Sequence, residues 1–525
     1  MIVKRFIIFL VLLFTRPAFG QSFTRSELSA TLSTPWEICY GADKYLWLTE
    51  SGGRIARVDP QTGDKTIVFV APDYFSGSVL EASPNCFRPV IGAGNLGMAM
   101  HPQFSDPAFS FIYFLHSYNH GTDNAPQTRF KIRRIKWDAG SKQIVGDTTL
   151  VKNISNGYDH FGGRVLIAPV GGKPFLFYTI GDHGISETNS PDCYTKQSDN
   201  PNHKAQDPAF DNGKVHRINL DGSVPADNPI PENSFYTRGH RNPQGLIYNN
   251  TRGIIYDVEH GDRTDDEINV LKAGLNYGWK NVRGYLNDDN YLGELAYINS
   301  YTPYPGIAGD KIEGPLYAWC TTPQPADADF LDWCTVAPSD GVYYGGTAIP
   351  EWSNSLLVTT LKDGANTDME VYCFKLGADG LSLAPPSVTA PNPERWFGAD
   401  QKLNGRLRDI ALSPDGTKIF LINNGGTDRD KITVYTYSPA VTGGNVSSGE
   451  LNLWPNPAGN EINISSPVSL IKLSVYNFSG ELVREQDLNT NAVTVSNLPD
   501  GVYILVAENI HANRIIKKLI VKNNG

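Results

Sequence analysis

The feature that most restricts how this chain can fold is a unit that recurs along its first 437 residues. An apolar run of strand composition is followed by a polar turn and then by a second run in which Arg or Lys alternates with apolar residues. A D-x-x-G or similar hairpin closes it. Copies stand at Tyr45 to Gly63, Phe175 to Gly184 with Lys214 to Gly222, Ile254 to Gly261, Ser355 to Gly364 with Met369 to Leu376, and Lys418 to Gly426 with Lys431 to Tyr437. Radially repeated four-stranded sheets generate such spacing, so the expectation is an all-β chain built on a β-propeller of about six blades. An acid or a lysine ends the leading strand of most units. Strand ends on one face of a propeller converge on its axis, which an array of β-sandwiches would not explain.

A length of 525 residues suits one large β-domain with a small one appended. With 50 Gly, 35 Pro and only 19 % charged residues, the chain favours short strands and turns over long surface helices. The formal charge of −10 and the lack of any Lys/Arg-rich block exclude nucleic acid and anionic membranes as partners. A small-molecule partner remains.

Residues 1–20 have the pattern of a signal peptide: Lys4 and Arg5, an apolar core from Phe6 to Phe14, then Ala18-Phe19-Gly20. Cleavage is expected after Gly20. The core is too short to span a bilayer, Arg16 interrupts it, and no later run is long enough, so no transmembrane segment is expected. An exported chain can oxidise its six cysteines. Cys320 and Cys334 flank a short loop and form the first expected pair; Cys39, Cys86, Cys193 and Cys373 leave three connectivities open. Residues 21–437 form the propeller, the Gly/Ser-rich stretch 438–450 reads as a linker, and 451–525 alternate as a small β-sandwich.

Four places in the large domain carry chemistry. His160 lies in a Gly-containing loop, where an imidazole can take a proton from a substrate hydroxyl. Asp182, in G-D-H-G, could orient that imidazole and fix its tautomer, although an Asp before a turn is common without function. In R-G-H-R-N-P-Q-G-L (Arg238 to Leu246), Arg241 and Asn242 precede a proline, which holds the backbone extended and lets the side chains project. Arg241 offers a fixed fork to a carboxylate or quinone oxygen. The run from Glu259 to Asn269 supplies carboxylates and carbonyls of the kind Ca²⁺ prefers, without EF-hand spacing, and a solvated acidic loop is the alternative. Finally, Lys362, Arg406 and Arg408 join Arg241 as four cations; Arg406 and Arg408, two apart on a β-run, point to one face. Four cations near a propeller axis call for a polyanion.

These residues resemble the soluble quinoprotein sugar dehydrogenases, which use pyrroloquinoline quinone (PQQ). The resemblance covers Thr34 to Tyr437 and is carried by W-L-T-E (Trp47 to Glu50), L-G-M-A-M-H-P (Leu96 to Pro102), Y-T-I-G-D (Tyr178 to Asp182), G-H-R-N-P-Q-G-L (Gly239 to Leu246), D-D-E-I-N (Asp265 to Asn269), N-Y-G-W (Asn276 to Trp279) and L-K-D-G (Leu361 to Gly364). It implies a six-bladed propeller. It also implies an enzyme that oxidises the anomeric carbon of an aldose and passes electrons to an external acceptor. By position it makes His160 the base, Asp182 its orienter and Arg241 the group that polarises the quinone carbonyl. Asn242, Lys362, Arg406 and Arg408 bind the rest of the cofactor. A calcium ion would use the carbonyls of Gly261 and Asp262; a second would use Glu267, the carbonyls of Tyr277, Arg283 and Tyr285, and the side chain of Asn287. Asp159 and Trp333 would face the sugar. Gly92 stands where the family has a Gln near the substrate, an aromatic of the pocket is replaced near Phe330, and Asp262 replaces a Pro, so the identity of the sugar is not carried over.

The last 75 residues resemble the sorting domain of proteins exported by the type IX secretion system, through W-P-N-P (Trp454 to Pro457), N-x-S-G-E-L-V (Asn477 to Val483), L-P-D-G-V-Y-I-L (Leu498 to Leu505) and the tail K-K-L-I-V-K (Lys517 to Lys522). That implies export to the medium or the outer cell surface, with the secretion machinery as partner. Two other functions fit a propeller: non-catalytic recognition of a glycan or protein, and a metal-dependent lactonase. The first would tolerate loss of the base and the cations, all present here; the second has no use for four of them.

Overall fold

The computed structural model describes residues 22–83, 86–122, 127–157, 159–184, 204–262, 264–288, 292–321, 334–362, 369–387, 390–424, 430–439, 451–477, 480–510 and 514–523. The expected signal peptide, the linker beyond residue 439, Phe330 and Trp333 lie outside them. Contacts divide the chain into a unit Phe23–Tyr437 and a second one holding Ser438–Gly525.

Among the described residues the large unit contains six four-stranded antiparallel sheets in chain order. The first comprises Pro35–Tyr40, Leu46–Glu50, Arg54–Val58 and Lys65–Val70. The next three open with Asn95–Met100, Val165–Val170 and Asn242–Asn249, the fifth with Pro338–Tyr344. The sixth runs Leu407–Leu412, Lys418–Asn423, Ile432–Ser438, and is completed by the N-terminal strand Ser22–Glu27, so the two ends of the unit close one sheet. The opening strand of each sheet touches those of the sheets before and after it, and the sixth returns to the first.

The core is divided in the same way. Leu46 and Leu48 pack with Phe420 and Ile422 of the sixth sheet, whereas Trp47 between them packs with Met98 and Phe114 of the second. Likewise Leu356 and Val358 face the fourth sheet and Leu357 the sixth. A strand with side chains alternating between two apolar neighbours is buried on both faces, so it reads as a continuous apolar run. Those conspicuous runs are therefore the second strands of their sheets, not the leading ones as expected from the repeat. Three of the opening strands carry a buried acid instead: Glu37, Asp340 and Asp409. The sheet of Asn95–Met100, Phe111–Asn119, Thr128–Asp138 and Gln143–Ile154 escaped the repeat, because its strands are long and shift register at several points.

Those opening strands meet at one buried guanidinium. Arg164 Nη1 donates to Glu37 Oε2 at 2.6 Å and lies 3.0 Å from Asp340 Oδ2 and 3.4 Å from Asp409 Oδ2, while its Nε donates to the carbonyl of Gln244 at 2.9 Å. Glu37 Oε2 also accepts the backbone N–H of Met98 at 3.2 Å. One side chain thus ties the third sheet to the first, fourth, fifth and sixth, and through Glu37 to the second.

Cys320 and Cys334 are disulfide-bonded, with Cα atoms 5.2 Å apart. The expectation that the remaining cysteines pair is corrected for two of them: Cys39, in the first sheet, and the buried Cys373, in the fifth, are free thiols. The side chain of Cys86 and all of Cys193 are outside the described residues. In the C-terminal unit, strand Glu461–Asn477 pairs with Leu482–Ser496 along its length, but its first half also pairs with Asn452–Trp454 and its second half with Gly501–Asn509. Its own core is built around Ile462, Val475, Leu505 and Leu519. Among the described residues no helix is long and apolar enough to cross a membrane.

Candidate active site

The third sheet brings His160 and Asp182 together. His160 lies in the loop entering Val165–Val170, and Asp182 lies two residues beyond Lys173–Ile180, so the antiparallel pairing of these strands brings the two together. The approach is tight: a Cβ on Gly181 would stand 1.9 Å from the carbonyl oxygen of His160. His160 itself is held at φ +49°, and Gly162 and Gly163 follow at +58° and +84°. His160 Nδ1 lies 2.7 Å from Asp182 Oδ1. The same carboxylate oxygen accepts the N–H of Gly184 at 2.9 Å, and Oδ2 accepts the indole N–H of Trp279 at 2.8 Å. With donors on both oxygens the carboxylate is the acceptor, which places a proton on His160 Nδ1 and leaves Nε2 as the ring nitrogen turned away from Asp182. Asp159 Oδ1 stands 3.6 Å from Nε2.

The junction between the third and fourth sheets delivers the first cation. The N–H of Asp182 donates to the carbonyl of Arg241 at 2.8 Å, which locks the two arms together. Asn242 opens its strand as the proline rule requires, yet its side chain does not project: it is buried, and Oδ1 accepts from Gly162 N–H at 3.2 Å and from Gln244 Nε2 at 3.0 Å. Arg241 Nη1 reaches the carbonyl of His260 at 3.4 Å.

His260 marks where the charges meet. Burial first, and then the positive fields of Arg241, His160, Arg408 and Arg406, hold its imidazole well below the ordinary histidine range. Its Nδ1 faces Asn242 Nδ2 at 3.4 Å, and its Nε2 is buried without a hydrogen-bond partner. Burial and the neighbouring Arg406 and Arg164 likewise depress the Arg408 guanidinium to about 9. Arg406 and Arg408 do share a locality, but not by strand alternation: Arg406 precedes Leu407–Leu412, and the ladder is irregular between Leu407 and Asp409. Lys362 is buried after Ser355–Thr360, and its N–H donates to the carbonyl of Val336 at 3.2 Å. Val336 in turn donates to Asp266 Oδ2 at 2.7 Å, joining this loop to the acidic one.

The acidic stretch lines a cavity bordered by Gly261, Asp262, Glu267, Tyr277 and Arg283 together with Arg241 and Trp279. Tyr285 and Asn287 do not line it, and Asn287 is exposed. Glu267 is buried; Oε1 accepts Gly284 N–H at 2.7 Å and Oε2 accepts Asn269 Nδ2 at 3.1 Å. Burial and the neighbouring Glu259 push its carboxyl well up, and burial raises Asp265 to about 6. Asp262 contributes more than a carbonyl: its carboxylate lies 3.0 Å from Arg283 Nη1 and 3.7 Å from Arg241 Nη2.

This combination of an oriented imidazole, clustered cations and an acidic cavity can be set beside known proteins. Residues 32–431 match the family model described as Glucose / Sorbosone dehydrogenase. The chain belongs to the glucose/sorbosone dehydrogenase family. Residues 452–522 match the secretion system C-terminal sorting domain. Quinoprotein glucose dehydrogenase B of Acinetobacter calcoaceticus is 30 % identical over 78 % of this chain and 88 % of its own length. Aldose sugar dehydrogenase YliI of Escherichia coli is 26 % identical over 77 % and 91 %. The PQQ-bound aldose sugar dehydrogenase of Streptomyces coelicolor superposes with a TM-score of 0.55 at 22 % identity, covering 81 % of this chain and all of that one, which shows a shared fold.

Several residues of this chain were given no role by sequence reasoning. His240, stacked on Tyr277, faces Glu259 Oε1 at 3.2 Å and Asp257 Oδ2 at 3.4 Å; burial opposes its charge, but the two carboxylates carry it up to about 10. His240 stands beside Arg241 and Glu259 opens the acidic run, and only the fold reveals that they balance each other. Trp279 closes the N-Y-G-W motif of the resemblance, but neither its spacing nor that of Arg164 suggested a role.

Proposed function

We propose that this family member is an exported, PQQ- and calcium-dependent dehydrogenase that oxidises the anomeric carbon of an aldose to a lactone. The observation that carries the reading is the convergence on His260 of Arg241, Arg406 and Arg408, a partly buried cluster of positive charge beside the oriented imidazole of His160. Such crowding is costly without an anionic partner, and the buried unpartnered Nε2 of His260 and Nε of Arg408 leave hydrogen-bonding capacity for one. A tricarboxylated quinone fits that demand. Bound there, PQQ would supply a two-electron acceptor for hydride. Arg241, Asn242, Lys362, Arg406 and Arg408 would hold it, and fixed positive charge is worth most where negative charge develops.

His160 Nε2 takes the proton of the anomeric hydroxyl as that carbon loses its hydride. Asp182 keeps Nδ1 protonated and steadies the imidazolium that forms. Asp159, beside Nε2 and partly exposed, would meet the sugar, with Trp333 as a further wall. Calcium fits the cavity of Gly261 and Asp262, where buried carboxylates crowd around backbone oxygens, with Glu267 and its neighbours as a second oxygen-rich place. An external acceptor then reoxidises the cofactor.

The closed circuit of opening strands and the six interstrand cores support a six-bladed propeller over residues 21–437. The partner change along Glu461–Asn477 supports a small sandwich over 451–525, following a linker at 438–450. The sorting-domain match supports export through the type IX machinery after removal of residues 1–20. The test is direct: titrate the purified chain with PQQ in the presence of Ca²⁺ and follow the cofactor's absorbance. Saturable binding that weakens in Arg408→Met supports the reading. Absence of binding would favour a recognition propeller.

A further inference from the structure

We propose that Trp279 is a positioning residue for the base, coupling the His160–Asp182 pair to the cation side of the site. The inference rests on His160 being the base. It stands on how the side chains around Asp182 and Trp279 are joined. Asp182 uses Oδ1 for His160 and Gly184, and its other oxygen, Oδ2, for the indole N–H of Trp279 at 2.8 Å. A buried carboxylate with donors on both oxygens cannot rotate without losing one of them, so the indole fixes the plane in which Asp182 meets His160.

The indole is itself fixed. Trp279 is buried, its backbone N–H donates to the carbonyl of Gly239 at 3.0 Å, and its carbonyl accepts from Gln206 Nε2 at 2.6 Å. Gly239 stands two residues before Arg241. At φ +79° it passes so close to Asn276 Oδ1 that a Cβ there would stand 2.3 Å away. On the ring itself, the guanidinium carbons of Arg241 and Arg283 lie 5.5 Å and 5.2 Å from the centroid, within cation–π range. Arg283 also holds Asp262 at 3.0 Å. One indole therefore spans from the orienter of the base to both guanidiniums that flank the acidic cavity. The N–H serves the base and the π face serves the cations, so the two functions are separable by substitution.

Trp279→Phe keeps a ring for the cations and removes the donor. In the cofactor-free full-length protein, ¹⁵N imidazole NMR, with the His160 signals identified by their loss in His160→Gln, should show a protonated Nδ1 and bare Nε2 in the wild type. In Trp279→Phe a mixture of tautomers is expected. In the PQQ- and calcium-loaded protein kcat should fall by at least about tenfold while the sugar KM changes by less than about twofold, because the indole acts through Asp182 rather than on substrate. Trp279→His, which returns a ring N–H, should recover part of the loss. An unchanged His160 pattern in Trp279→Phe overturns the proposal. Should that variant not fold, the bond is read from its other end: the Trp279 indole N–H signal moves in Asp182→Asn if the coupling exists, and stays in place if it does not. Failure of the base assignment shows separately, as sugar oxidation that survives His160→Ala.

Discussion

His160 Nδ1 and Asp182 Oδ1 lie 2.7 Å apart, joined across the open end of one antiparallel strand pair, with Gly181 the only residue type that lets the backbones approach so closely. Strand geometry, not loop flexibility, sets the His160–Asp182 pair. Asp182→Asn preserves the shape but allows an amide N–H to face Nδ1, which favours the wrong tautomer. The expected result is a loss of roughly 10²- to 10⁴-fold in kcat with PQQ affinity retained. Steady-state kinetics together with a cofactor titration check it.

Arg164 is expected to dominate stability. Replacing it with Met leaves Glu37, Asp340 and Asp409 buried without their shared cation, which costs about 3–5 kcal/mol. Denaturant unfolding in the absence of ligands measures this.

The same hub predicts a pH signature. Burial raises the carboxyls of Glu37 and Asp340 well above their ordinary values, and like-charged neighbours add to the rise against the pull of Arg164. A carboxyl raised on folding binds protons more tightly in the native state, so stability falls as pH rises above the unfolded value, about 4. In Arg164→Met this dependence should steepen, with part of the lost stability regained as pH is lowered from 7 towards that value. A pH-independent difference between variant and wild type would contradict it.

Arg408→Met should separate binding from stability. Its guanidinium is depressed to about 9 by burial and by Arg406 and Arg164, so removing it relieves repulsion even as the bond to Gln244 Oε1 at 2.9 Å is lost. The ligand-free variant should melt within a few degrees of the wild type or above it, while PQQ affinity drops at least about tenfold. Thermal melts with and without PQQ and Ca²⁺ read both effects, and ligand-linked stabilisation should be the part that disappears.

Much of this was legible in the residues. Runs such as Leu46–Glu50 and Ser355–Thr360 are apolar on both faces, and that burial made the repeat visible. The opening strands were not legible, because Glu37, Asp340 and Asp409 interrupt their apolar pattern in order to meet Arg164, a partner up to 245 positions away in the chain. His160, Asp182 and Arg241 announced themselves by residue type beside glycines and a proline. Asn242 was misjudged as projecting, since a proline rule speaks for backbone and not for the side chain that Gly162 and Gln244 capture. Trp279 and His240 act by contacts between loops of different sheets, and no local spacing encodes those.

The most direct test adds PQQ and Ca²⁺ to the purified protein and follows aldose-dependent reduction of an artificial electron acceptor, in the wild type and in His160→Ala. The account predicts activity that requires both additions and is lost in the variant. Equal activity in the two proteins, or none in the wild type despite bound PQQ, would contradict it.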